Sequence, residues 1–321
     1  MSRRKTERRL LAAGLLALGA LAVCLLLWQR RAALAERTEI ILIQKALDDT
    51  DFWTSVAQGG EMAAEEHDAD LTVMGPAEEQ EIGLQNEMIL EAIADKPDAI
   101  VLAPGSSEAT LPYARQIEEA GITLVLLDST MEEEAGISAV ATDNFELGYK
   151  MGSYMKQFVT PDTVIGIVGH VEGSSTALGR EAGFRAGLGE AQDQVAEIVF
   201  CDSITEKASE LTRGLLEKYP EMDMIVGLNE YSAVGAARAV LELGLSDQIY
   251  MAGIDSSLEQ IQLLEAGVYE PFNMGYLGVE TAVRAARGER VEENIDSGSE
   301  LITKENMYTE ENQKLLFPVA E

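Results

Sequence analysis

The chain has 321 residues and a formal net charge of −32, from 24 basic and 56 acidic side chains. So acidic a surface repels nucleic acid, whose binding needs Lys and Arg to displace condensed counterions. With two cysteines and two histidines there is little material for a metal cluster or a histidine-based triad, and neither a metal nor a cofactor is expected.

The length allows two domains of ordinary size. Residues 1–31 carry a net of +6, so the other 290 carry −38. Leu10–Trp28 is 19 uncharged residues, within the ~17–25 that a spanning helix needs. Five basic residues precede it and two follow, which keeps the N-terminus in the cytoplasm and exports the body. Three readings stay open: a retained signal anchor, a signal peptide cut after Ala33-Leu34-Ala35, and lipidation at Cys24. The expectation is a basic cytoplasmic tip over 1–9, a membrane segment over 10–28, and a domain on the extracytoplasmic side of the cell membrane.

From Glu39 onward, apolar runs of strand length alternate with amphipathic runs of helical length. The strands are expected at 39–44, 70–75, 99–105, 123–129, 163–169, 195–201, 223–229 and 250–255. Most are nearly continuous in apolar character, as in a parallel sheet buried on both faces. Helices are expected at Trp53–His67, Glu81–Asp95, Ser107–Ala120, Phe145–Phe158, Thr176–Ala191, Glu206–Tyr219, Ser232–Gly244 and Leu258–Gly267, with Thr205 as an N-cap. The alternation reads as a doubly wound α/β fold. Four strands fall on either side of ATDN (141–144), which suggests two domains.

Ligands of such sheets bind beyond the carboxyl ends of the strands. After the first strand stand Asp48, Asp49, Asp51, Phe52 and Trp53. An aromatic face beside carboxylates suits a sugar, although Phe52 and Trp53 also fit the core of the following helix. Asp128 and Ser129 end the fourth strand, Asn229 the seventh, and Asp255 the eighth. Each places a polar group where an apolar strand stops, and each also suits a turn or a helix cap. Cys201 ends another strand and reads as a buried, inert thiol. The loop GHVEGSSTALGREAGF (169–184) lacks both the Gly-Lys-Ser/Thr ending of a P-loop and GxGxxG spacing. Its Ser174, Ser175 and Thr176 read as the cap of a helix.

In order, DFWTSVAQGGEMAAEE, KPDAIVLAPGSSEAT, AGITLVLLDS, VATDNFELG, EGSSTALGREAGF, LLEKYPEMDMIVGLNE, SAVGAARAVLELG, AGIDSSLEQIQLLEAG and MGYLGVETAVRAARGE resemble the ribose/galactose-type extracytoplasmic solute-binding proteins of sugar ABC transporters. The resemblance covers about residues 38–310. It implies two doubly wound parallel-sheet lobes joined by a three-crossover hinge, here preceded by one N-terminal transmembrane helix. The first lobe would hold 38–142 plus 276–298, and the second 143–275 plus 299–321. The ligand would lie between them, held by Phe52, Trp53, Asp128, Ser129, Asn229 and Asp255. The position of an arginine common in sugar-binding members falls on Leu178, and Arg180 matches a different one. The stretch from Gly267 to Gly278 looks short, and VYEPF (268–272) leaves no counterpart for a ligand-binding Gln.

The sequence therefore points to a monomeric, non-enzymatic binder of a small polar solute, a carbohydrate or polyol, that presents its closed form to a membrane partner. That partner is an ABC permease. The alternatives are an anchored sensor for a sensor kinase and an interaction module that binds no solute.

Overall fold

The structure, a computed structural model, describes residues 37–310 and 312, apart from positions 48, 49, 132, 256 and 270. The expected membrane segment, Cys24, Asp48 and Asp49 lie outside the described residues. Among those described, no helix is long and apolar enough to cross a membrane.

Strand β1 (Thr38–Ile43) shows why the apolar runs become strands. Successive side chains of a strand point to opposite faces. Ile40 and Leu42 enter one core, while Ile41 and Ile43 enter another. Both faces must therefore be covered. Helices α1 (Asp51–Glu66) and α9 (Pro271–Ala286) cover the first face, and α2 (Ile82–Asp95) and α3 (Leu111–Glu119) the second. The sheet also contains β2 (Ala69–Met74), β3 (Ala99–Leu102), β4 (Thr123–Leu127), β5 (Ser138–Ala141) and β11 (Asn294–Asp296). Its order is β11-β5-β4-β3-β1-β2, parallel throughout.

The second lobe repeats the plan. Its strands are β6 (Ile165–Gly169), β7 (Val195–Phe200), β8 (Met224–Gly227), β9 (Tyr250–Ile254), β10 (Ala266–Tyr269) and β12 (Glu300–Thr303), in the order β12-β10-β9-β8-β6-β7. Only β12 runs antiparallel to its neighbour. Helices α4 (Asn144–Met155) and α5 (Ser175–Leu188) cover one face. Helices α6 (Thr205–Lys218) and α7 (Glu230–Glu242) cover the other, and α8 (Leu258–Leu263) adjoins α7.

Some expectations change. The single helix expected over 258–267 stops at Leu263, because Ala266–Val268 pairs with Ala252–Ile254 of β9 and Gly267 is a poor helix residue. Thr205 lies inside the first turn of α6, with Ile204 at the cap position. Residues 271–275, expected with the second lobe, lie with the first. There α9 crosses α1 so closely that a Cβ on Gly275 would stand 1.9 Å from the Val56 carbonyl oxygen. Only glycine permits that approach, which fixes the helix carrying Phe52 and Trp53.

The chain passes between the lobes after β5, after β10 and after β11. These passages are bonded to one another. Thr142 Oγ1 lies 2.9 Å from Ser297 Oγ, Asn273 donates to the Ser297 carbonyl at 2.8 Å, and β5 pairs with β11.

Candidate functional site

Two carboxylates sit at matching places in the two lobes. Asp128 directly follows β4 and Asp255 directly follows β9. Both hold left-handed backbone, at φ 60° and 67°. Aspartate tolerates this region better than most residues, and residues held there cluster at functional sites. Asp255 does not cap the next helix, because Ser257 forms the capping box of α8 with Gln260.

Each acid faces a cation of its own lobe. Lys45 Nζ donates to Asp128 at 2.5 Å and to Ser129 Oγ at 2.6 Å. Arg180 Nη1 donates to Asp255 at 3.4 Å and to the Leu228 carbonyl at 2.7 Å, while its Nε donates to Asn144 at 2.8 Å. Burial pushes the Asp128 carboxyl up, but Lys45 and then Arg180 outweigh it and hold the group below its usual range. At Asp255 burial wins over Arg180, and the carboxyl is raised.

Phe52 and Trp53 meet edge to face, with ring centroids 4.9 Å apart. They belong both to the first-lobe core and to the wall of the cleft. The indole N–H of Trp53 donates to Glu79 at 2.9 Å, and Ser203 of the second lobe donates to the same carboxyl at 2.5 Å. Burial raises the Glu79 carboxyl against the opposing pull of Lys45. Asn229 caps α7 through Ser232 and points Nδ2 at Ser203, 3.4 Å away. His170, just past β6, bonds Thr176 through Nε2 at 2.9 Å, and its buried Nδ1 has no partner among the described residues. Burial, with Arg180 and Lys45 nearby, lowers its pKa well below the usual value, so the imidazole is neutral.

The structure thus brings Phe52, Trp53, Asp128, Asn229 and Asp255 around one cavity between the lobes. Ser129 stands one step outside, on an adjoining cavity lined by Ser106 and Ser107 of the first lobe and Ser174 and Ser175 of the second. Ser174 caps α5, accepting from the Ala177 amide at 3.2 Å, as the sequence suggested. The inner space is tight, a cavity of about 20 Å³. Admitting a larger solute requires the lobes to part or the lysine and arginine to move.

Sequence reasoning passed over Lys45, Glu79, His170, Arg180 and Glu230, all of which line the cavity. The strand-end rule covers the first three, since they follow β1, β2 and β6. Arg180 places an arginine in the cleft, at a position other than the one the resemblance implied. Leu178, the position assigned to the missing arginine, is 56% exposed, whereas Arg180 is 4% exposed and lines the cleft. Two residues on a helix are about 200° of rotation, so Leu178 and Arg180 take opposite faces of α5. Cys201 is buried, and burial pushes its thiol up to about 11, which suits no nucleophile.

Two similar α/β lobes, with acids, cations and aromatic rings gathered at the strand ends between them, define a two-lobed binding protein. A family model described as a periplasmic binding protein domain matches residues 40–290, and the chain belongs to this family of binding proteins. It is 25% identical over 309 residues to the D-ribose/D-allose-binding protein of Pseudomonas aeruginosa, across 92% of this chain and 96% of that one. A sugar transporter from Clostridium phytofermentans has a similar structure, with a TM-score of 0.80 and 42% identity, covering 84% of this chain and 100% of that one. An ABC-transporter solute-binding protein from Agrobacterium vitis, solved with D-fucose bound, gives a TM-score of 0.82 at 30% identity, covering 87% and 99%.

Proposed function

We propose that the protein binds a monosaccharide or a related polyol between its lobes, on the extracytoplasmic side of the membrane, and delivers it to an ABC permease. The observation that carries the reading is the pairing of a ring wall, Phe52 and Trp53, with buried carboxylates at facing strand ends and a buried arginine on α5. Rings cover the apolar C–H face of a sugar, and charged groups take its hydroxyls in bonds of about 1.5–3 kcal/mol each. Relatives named for ribose and allose, and a neighbour holding D-fucose, support this chemistry. Thermal-shift screening of the protein against pentoses, hexoses, 6-deoxyhexoses and polyols tests it. At least one sugar is expected to raise the melting temperature by several degrees at millimolar concentration, and a blank panel would sink the proposal.

We also propose that residues 10–28 hold the domain at the membrane, on the strength of their length and flanking charge. The intact N-terminus is then expected in the membrane fraction. A mature chain starting at Glu36 would exclude the anchor.

A further inference from the structure

The first amides of a helix have no acceptor within it and need one from outside. For α1 that acceptor comes from the other lobe. Glu230, the first residue of α7, takes the Phe52 amide at 3.0 Å and the Asp51 amide at 3.3 Å, 178 and 179 residues away in sequence. The Glu230 backbone N–H in turn donates to Asp255 at 3.1 Å, and Asp255 accepts from Arg180. A continuous polar chain therefore runs from the second-lobe arginine to the backbone of Phe52, the first of the aromatic pair.

We propose that Glu230 is a positioning residue that caps α1 from the opposite lobe when the lobes close, and so sets where Phe52 and Trp53 stand against the solute. The inference rests on the solute-binding reading above. The cap sits at the helix end that favours a negative group, and the second of the two residues it holds, Phe52, begins the ring wall of the site. When the lobes part, α1 loses this acceptor and the glutamate meets water.

Closure then carries a proton. Burial pushes the Glu230 carboxyl up to about 8; the Phe52 and Asp51 amides oppose this, while Asp255 and Asp51 add to it. Arg180 faces the pair from α5, Lys45, Asp128 and Glu79 face the cavity from the first lobe, and Arg238 and Glu259 line the groove on the outer side. A carboxyl raised in the closed form and ordinary in the open form favours closure fully at low pH, and that gain is lost as pH rises through about 8. Glu79 and Asp255 act in the same direction. His170, kept neutral by burial, acts in the opposite direction below its usual value of 6.5. The window in which affinity falls with rising pH is therefore about 6.5 to 8.

The test uses the full chain in detergent, as wild type and as Glu230→Gln, Glu230→Asp and Glu230→Ala. D-ribose, D-allose and D-fucose are titrated calorimetrically at pH 6.5 and 8, and amide exchange is followed over residues 50–54. For any sugar that binds, the wild type is expected to bind about tenfold tighter at pH 6.5 than at pH 8, with exchange at Asp51 and Phe52 slowed on binding. Glu230→Gln should flatten the pH profile, and Glu230→Ala should lose the slowing and at least tenfold in affinity. Glu230→Asp, too short to reach, should resemble the alanine variant. Variants that keep the affinity, pH profile and exchange pattern of the wild type overturn the inference while leaving sugar binding intact. If none of the three sugars binds, exchange of the free protein at pH 6.5, where closure without solute is favoured over pH 8, decides: Phe52 exchange slower in wild type than in Glu230→Ala, by a margin that shrinks at pH 8, sustains the cap, and equal rates at both pH values overturn it.

Discussion

Replacing Arg180 with alanine is expected to destabilise the protein by about 3–5 kcal/mol and to lower sugar affinity by at least a hundredfold. The residue is 4% exposed and makes three bonds, to Asn144, to the Leu228 carbonyl and to Asp255. Its removal leaves Asp255 as a buried carboxyl without a cation, and one buried partner left alone costs more than the pair contributes. It also frees the carbonyl at the end of β8 in the floor of the cleft. Arg180→Lys should recover only part of the loss, since a single ammonium does not reproduce the planar fork that reaches three acceptors. Urea unfolding and calorimetric titration measure the two effects separately. An alanine variant with wild-type stability would mean that the guanidinium is not the counter-charge the geometry describes.

Asp128→Ala is expected to be as damaging, through the opposite charge. It strands the Lys45 ammonium, which keeps only the Ser129 hydroxyl in a region where both side chains are at most 10% exposed. The loss should again be about 3–5 kcal/mol. Joint replacement, Asp128→Leu with Lys45→Met, removes both charges and should restore most of the stability, because a buried pair exchanged for apolar groups of like volume is often close to neutral. Sugar binding should stay lost in the double variant. That contrast separates the two roles of the pair: stability follows charge balance, whereas affinity follows the presence of Asp128. A double variant that bound sugar as tightly as the wild type would remove Asp128 from the site.

The strands were legible because most are buried on both faces and so nearly continuous in apolar character. β5, SAVA, was missed because it is four residues long with a serine at its start, and β11 and β12 because they are short edge strands with charged residues. In the site, Asp128, Asn229 and Asp255 could be read because a polar residue ending an apolar strand is a local signal. Lys45 and Glu79 obey the same rule but sit two and five residues past their strands, among other charged or polar groups, where a solvated loop looks identical. Arg180 and Glu230 lie on helices, so their inward direction depends on helical phase and on the facing lobe. No single stretch of sequence shows that Glu230 ends against an amide 178 residues away.

The bonds among Thr142, Asn273 and Ser297 join three separate passages of chain into one strip. A strip bends readily about its own length but resists twisting, because torsion would shear those bonds. The two halves are thus confined to swing along a single arc, like a door rather than a ball joint. Every closing stroke then returns Glu230 to the same two amides, so the shut form is one shape rather than a range of them.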